Sequence, residues 1–133
     1  MAMDTLLEEA LEAWGYTRAG VVSELENLPV DAMGHRPAPG VRSVAELVHH
    51  IAESGLLMAG ELAREDGDFT RQPYARHLAE HAGAMKRPGE RTELLELLRT
   101  SHTDGEARLR AAGELRLLAP IRRFDGQVGT RLA

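Results

Sequence analysis

The sequence opens with a stripe of apolar residues whose spacing fits one face of a long α-helix. Between residue 4 and about residue 27 they recur at alternating four- and three-residue steps, which matches the helical period. The stripe consists of Leu7, Leu11, Trp14, Val21, Leu25 and Leu28. Arg18 interrupts it once, Asp4 is the predicted N-cap, and Pro29 ends the helix. At about 1.5 Å per residue, the helix is roughly 35 Å long, a length typical of helical bundles.

Two more long helices are predicted, over residues 43–64 and 90–112. Ser43 and Glu46 have the spacing of a capping box at the start of the second helix, and Gly113 is the predicted C-cap of the third. The buried face predicted for the second helix consists of Val44, Leu47, Val48, Ile51, Gly55, Met58 and Leu62. The face predicted for the third helix consists of Leu94, Leu95, Leu98, His102 and Leu109.

The composition favours an all-α fold. Only 4% of the residues are aromatic, and the apolar residues are mainly Leu and Ala, which lose little side-chain freedom in a helix. A length of 133 residues fits one compact domain. We therefore predict a single helical domain over residues 1–133, with no sheet of consequence.

The connections between helices predict their arrangement. Residues 65–89 are too many for a simple turn between antiparallel neighbours, so a crossover that makes the second and third helices parallel is predicted. A short helix is expected within it, at residues 71–84. The last residues, 129–133, are predicted to begin another helix, with Thr130 as its N-cap.

Charge and composition exclude several classes of protein. A formal net charge of −5 argues against binding to nucleic acid, which needs clustered positive charge. No apolar segment approaches the roughly 20 residues needed to span a bilayer, and the first residues lack the pattern of a signal peptide. The absence of cysteine excludes disulfides, a thiolate nucleophile and Cys-based metal sites. A cytoplasmic protein is expected.

The connector after the first helix and the start of the second carry a family resemblance. The pattern Arg-Pro-x-Pro-Gly at residues 36–40, followed by SVAELVHHIAE at residues 43–53, resembles the DinB/YfiT-like superfamily. The resemblance implies a four-helix bundle whose second and third helices are parallel, often assembled as a dimer. It also implies a divalent metal bound by one His of the second helix and by an HxxxH pair of the fourth.

Carried onto this sequence, the resemblance assigns the helix-two metal ligand to His50. The HxxxH pair would lie beyond Ala133, so the fourth helix is expected only to begin within the sequence and the metal site to be incomplete in it. A neutral imidazole suits Zn, Ni or Fe, but a catalytic metal usually needs three protein ligands. The implied function is a metal-dependent hydrolase or a low-molecular-weight-thiol S-transferase acting on a small molecule. The alternative is a non-catalytic dimeric scaffold without metal.

The other histidines of the predicted helices are weaker candidates. His49 is expected to face solvent. His77 and His81 are four residues apart, a spacing that can bind metal, but a solvated helical turn is the preferred interpretation. His102 is expected to be buried and hydrogen-bonded to a hydroxyl or a carboxylate.

Association is predicted from the helix count. Three amphipathic helices leave open a groove that a fourth would fill, and large exposed apolar patches are rare on soluble monomers. A second copy could cover this groove through a two-fold interface. If further residues fill the groove, an outer face would serve instead. Both routes predict a homodimer.

Overall fold

The structure, a computed structural model, describes residues 5–133. Its main feature is a set of three long helices, which confirms the all-α prediction. The elements, in chain order, are α1 (Thr5–Asn27), one turn of 3-10 helix (Val30–Ala32), α2 (Val44–Ala63), α3 (Tyr74–Ala82), α4 (Arg91–Ala112), α5 (Glu114–Leu117), β1 (Pro120–Arg122) and β2 (Val128–Thr130).

The ends of the helices follow from local capping. At the start of α2, the Glu46 backbone N–H donates to Ser43 Oγ at 3.1 Å, and the Ser43 N–H donates to the Glu46 carboxylate at 3.0 Å. This confirms the capping box. Gly113 ends α4 with a φ of 83°, where glycine avoids a steric penalty, and its N–H donates to the Leu109 carbonyl. The predicted N-cap Asp4 lies outside the described residues.

Contacts along α2 and α4 show that these helices run parallel. Val48, near the start of α2, packs in one cluster with Leu94 and Leu98 near the start of α4. Farther along, Arg108 of α4 donates to the Leu56 carbonyl of α2 at 3.1 Å. The first turns of α2 and α4 therefore contact each other, and so do their later turns. This parallel arrangement confirms the crossover that the long connection predicts.

α1 runs antiparallel to α4. Leu25, near the end of α1, joins the cluster at the start of α4, whereas the Trp14 ring lies against His102 farther along α4. Gly105 makes this approach possible, because a Cβ there would lie 2.7 Å from Trp14 Cη2.

The face that α2 buries differs from the predicted one. Leu47 and Met58 are 49% and 42% exposed, so their assignment to the buried face is wrong. The buried residues are Val48, Ala52, Glu53, Leu56, Leu57, Ala59, Gly60 and Glu61. The physical reason is that α2 packs against both α4 and α3, so its buried face turns toward the crossover helix.

The end of the chain forms a β-hairpin, so the helix predicted to begin at residues 129–133 is wrong. Thr130 pairs with Pro120 across the hairpin and therefore caps no helix. Arg131, directly after β2, connects the hairpin to α2. It donates to the carbonyls of Leu62, Arg64 and Glu65 at the C-terminal end of that helix. In the described residues the bundle thus consists of three long helices closed at one end by α5 and the hairpin.

Within residues 5–133, we find no helix that combines the length and the hydrophobicity needed to cross a membrane.

Candidate functional site

A groove of about 490 Å³ lies between α1 and α2. Its lining is mainly apolar and includes Leu11 and Trp14 of α1, Ile51 and Met58 of α2, and Leu109 of α4. This is the open strip that three amphipathic helices were predicted to leave. The polar side chains that also line it are Thr17, Arg18, His50, Ser54 and Arg131.

His50, the predicted metal ligand, lies in the wall of this groove. Its side chain is 36% exposed, and its Nδ1 is 3.7 Å from Glu53 Oε1. The other oxygen of Glu53 accepts a hydrogen bond from Arg87. Among the described residues, His50 does not belong to a group of three His or carboxylate side chains close enough to share a metal. The ligand set that the resemblance implies is therefore not assembled around His50 in residues 5–133.

Two other histidine predictions are wrong. His49 is partly buried instead of facing solvent, because its Nε2 lies 2.7 Å from the Pro88 carbonyl of the crossover. His102 lies against Trp14 with ring centroids 4.3 Å apart, and its buried Nδ1 has no hydrogen-bond partner among residues 5–133. Within those residues, neither a hydroxyl nor a carboxylate bonds to this atom. Burial and the nearby charge of Arg18 lower the pKa of His102.

Arg18 extends inward from α1, although in the sequence it only interrupts an apolar stripe. It is 6% exposed, and its Nη1 donates to the Leu98 carbonyl at 2.8 Å and to Ser101 Oγ at 3.2 Å. The guanidinium carbon lies 5.9 Å from the centre of the Trp14 ring. Burial lowers the pKa of this guanidinium.

A second polar centre forms where α3 packs against the end of α2. Glu61 of α2 and His77 of α3 have no exposed side-chain surface, and His81 of α3 is 8% exposed. The interpretation of His77 and His81 as a solvated turn is therefore wrong. One donor atom from each of the three residues lies within 4.8 Å of the other two.

The distances within this cluster centre on one carboxylate oxygen. Glu61 Oε1 is 2.8 Å from His81 Nε2 and 3.3 Å from His77 Nδ1. The two imidazole rings are stacked, with an interplanar angle of 11°. Gly60 allows this arrangement, because a Cβ at that position would lie 2.2 Å from His81 Nδ1.

The tautomer of His77 follows from its hydrogen bonds. Its Nε2 is 3.1 Å from the Phe69 carbonyl, which can only accept, so Nε2 carries the proton. In the neutral ring, Nδ1 then presents its lone pair toward Glu61 Oε1, and the Gln72 amide nitrogen lies 3.2 Å from it. The Gln72 amide N–H can donate to this lone pair, so Nδ1 has a hydrogen-bond donor of the protein itself.

The outer side of Glu61 is held by hydrogen-bond donors. Arg71 Nε donates to Oε2 at 2.6 Å, and the Asp68 N–H donates to the same oxygen at 2.9 Å. Arg71 Nη2 donates to the other oxygen, Oε1, at 2.8 Å. Burial opposes ionisation, but the hydrogen bonds from Arg71, Asp68 and His81 outweigh it and lower the pKa of Glu61 to about 2. Glu61 is therefore ionised at neutral pH.

The charged side chains around the cluster form a network of ion pairs. Glu80 accepts hydrogen bonds from Arg71, which lower its pKa to about 2, and Arg64 bridges Glu80 and Asp66. The carboxylates of Glu61, Glu80 and Asp66 thus face the two guanidinium groups of Arg64 and Arg71. Arg131 also interacts electrostatically with Glu61 and Asp66, and Arg122 pairs with Asp68 at 3.9 Å, so the acidic and basic side chains around the cluster balance.

The donor set has the chemistry of a metal centre. Two imidazoles and one carboxylate hold zinc in several catalytic sites, with a further position open to water or substrate. A depression of about 360 Å³, lined in part by Gly60, Glu80 and His81, opens beside the cluster. Sequence reasoning found the His77–His81 spacing but missed Glu61. Its position four residues after Leu57, on the apolar face of α2, is the signal that could have identified it.

Comparison with known proteins places this fold in a family. The family model described as the DinB superfamily matches residues 13–132. No curated protein and no solved structure matches the chain. The matched region includes all of α2, α3 and α4 and therefore the Glu61 cluster, together with most of the residues that line the groove. This chain belongs to the DinB superfamily.

Proposed function

We propose that this protein is a metal-dependent enzyme that holds a divalent cation between Glu61, His77 and His81. The observation that carries the proposal is the convergence of their donor atoms to within 4.8 Å of one another. The three residues come from two helices that pack together, so the ligands are positioned by the fold.

The surroundings of the donors support a cation in preference to a bare cluster. The Nε2–H of His77 donates to the Phe69 carbonyl. Metal-bound histidines are commonly oriented by such a hydrogen bond from the ring nitrogen that does not bind the metal. Arg71 donates to both oxygens of Glu61, the Asp68 N–H donates to Oε2, and both imidazoles lie near Oε1. The carboxylate is therefore fixed in place, with Oε1 shared between Arg71 and the two imidazoles.

Zinc, nickel or iron would suit this donor set. A divalent cation supplies a Lewis acid that polarises a substrate or lowers the pKa of a bound water or thiol. Hydrolysis and transfer of a low-molecular-weight thiol are the two reaction types that we propose. The protein itself contributes the orientation of Glu61 by Arg71 and an opening through which a small substrate reaches His81.

Two alternatives remain distinct from this proposal. The assignment of His50 as a ligand stays a prediction, since the partners implied for it lie beyond Ala133. A non-catalytic scaffold without metal is the second candidate function, favoured by the direct ion pair between Arg71 and Glu61. In that case Arg71 alone neutralises the buried carboxylate.

Cobalt(II) binding tests the proposal, because its visible spectrum reports coordination by imidazole and carboxylate. Protein treated with a chelator is titrated with Co²⁺, first as wild type and then as E61Q, H81Q and H50Q. We expect one equivalent to bind, and we expect E61Q and H81Q each to weaken binding by more than about tenfold. H50Q should bind as wild type does.

The matched control is H35Q, which changes an exposed histidine of the connector. If H50Q loses the cobalt spectrum and H81Q retains it, the result would assign the cation site to His50 instead of the Glu61 cluster. The absence of binding by folded wild-type protein would favour the scaffold. Circular dichroism of each variant separates loss of a ligand from loss of the fold.

A further inference from the structure

The groove between α1 and α2 contains a buried positive charge without a negative partner. Arg18 is 6% exposed, and its hydrogen bonds reach only the Leu98 carbonyl and the Ser101 hydroxyl. Within the described residues, no carboxylate forms an ion pair with it, although most arginines around the Glu61 cluster have such a partner. A buried charge without a counter-charge is costly, so this arrangement calls for an anion.

The unpaired part of the guanidinium is accessible from the groove. Both hydrogen bonds use Nη1, while Nη2 lies beside α2, 3.0 Å from where a Cβ on Gly55 would be. In the described part of the chain, Nη2 has no acceptor, and it is not among the buried atoms that lack a partner. Gly55 therefore leaves a space in which Nη2 can donate to a ligand.

The remainder of the groove suits an apolar body. Its volume of about 490 Å³ falls within the range of roughly 300–1,000 Å³ typical of small-molecule sites. The lining around Arg18 is apolar and aromatic, with His50 and Ser54 as further polar groups on the α2 side. Such sites combine a mainly apolar wall with a few polar groups that orient the ligand.

We propose that this groove binds an amphipathic small molecule whose carboxylate pairs with Arg18 and whose apolar chain lies along α1 and α2. A guanidinium matches a carboxylate in both charge and hydrogen-bond geometry. A second copy of the chain fits less well, because a two-fold contact between grooves would bring two buried Arg18 charges toward the same interface. This site is separate from the Glu61 cluster, and its test does not depend on metal.

Decanoate and 1-decanol are suitable probes, because they share a chain length and differ in the charged head group. Trp14 is the only tryptophan of the chain and lies beneath Arg18, so its fluorescence reports on the groove. For wild type we expect decanoate to bind more tightly than 1-decanol by about tenfold or more, since hydrogen bonds to charged groups are strong. A preference below that level in wild type would overturn the proposal, whatever the variants do.

The variants R18M and R18K assign the preference to Arg18. R18M should bind both probes equally, and R18K should keep a reduced preference for decanoate. The control R99M removes the same charge from an exposed position of α4 and should behave as wild type does. A preference that survives in folded R18M would contradict the proposal. If R18M does not fold, the other two variants decide. The proposal would be contradicted if R18K kept the full preference for decanoate and R99M lost it.

Sedimentation of the same samples identifies the other occupants. A ligand-free dimer that binds neither probe would show that a second copy covers the groove, and this result would also overturn the proposal.

Discussion

At the scale of single residues, the buried polar groups of this protein differ in how well they are hydrogen-bonded. Glu61 is buried but receives donors from Arg71, Asp68 and His81, so its charge is stabilised. His102 is the opposite case, since its Nδ1 is buried without a partner and a positive charge lies nearby. Burial of a polar group is tolerated when hydrogen bonds replace water and is costly when they do not.

The stability of the protein should therefore depend on the protonation of His102. Its pKa in the folded state lies below the usual 6.5, so the unfolded chain takes up the proton first as pH falls. We expect the free energy of unfolding contributed by this group to decrease as pH falls below 6.5, until the folded-state pKa is reached. Urea denaturation at a series of pH values measures the slope.

The substitution H102Q removes this titration and should flatten the slope below pH 6.5. An unchanged slope in H102Q would contradict the assignment of the pH dependence to His102.

At the scale of secondary-structure elements, close approach between helices depends on glycine. Gly105 of α4 accommodates the Trp14 ring, and Gly60 of α2 accommodates the His81 ring. Both positions lie inside helices, where alanine is ordinarily the better residue. The packing of α1 and α3 therefore decides which residue these positions accept.

G60A should destabilise the protein because its methyl group would overlap the His81 imidazole. We expect a loss of about 1–3 kcal/mol in the free energy of unfolding, the usual cost of overpacking. G20A is the matched control in α1, since a Cβ there meets nothing within 4 Å. It should stabilise the protein by up to about 1 kcal/mol through helix propensity. Equal effects of the two substitutions would refute the predicted contact.

At the scale of the whole molecule, the bundle is closed on one side and open on the other. α3 and the hairpin cover α2 on the crossover side, where Ile121 packs on Leu57 and Phe69. Between α1 and α2 the groove stays open in the described residues. Several large apolar side chains on other faces are also exposed, including Tyr16, Leu47 and Leu115.

The homodimer predicted from the sequence remains a prediction. We expect it to use an outer face, because a groove-to-groove contact would bury Arg18 of both copies together. Sedimentation at micromolar concentration should give about twice the 14.6 kDa of the single chain. Decanoate should leave this mass unchanged. A monomer of 14.6 kDa would refute the dimer, and dissociation by decanoate would place the interface in the groove.

The sequence by itself determined the local structure of this protein. The capping box at Ser43, the C-cap at Gly113 and the bounds of the three long helices depend on residues close together in the chain. The parallel arrangement of α2 and α4 was also predictable, because a connection of that length restricts how two helices can pack. The family resemblance carried by residues 36–53 is confirmed by the family model that matches residues 13–132.

Only the tertiary structure decided which polar side chains meet. Glu61 and His77 are separated by a crossover whose path depends on the packing of α3, and Arg18 becomes a groove residue only when α1 lies on α4. The hairpin at the end of the chain is another case, since Arg131 bonds to carbonyls of a distant helix end. Periodicity describes one helix at a time, whereas these contacts depend on the relative rotation of two helices. That rotation is set by the packing of many side chains at once.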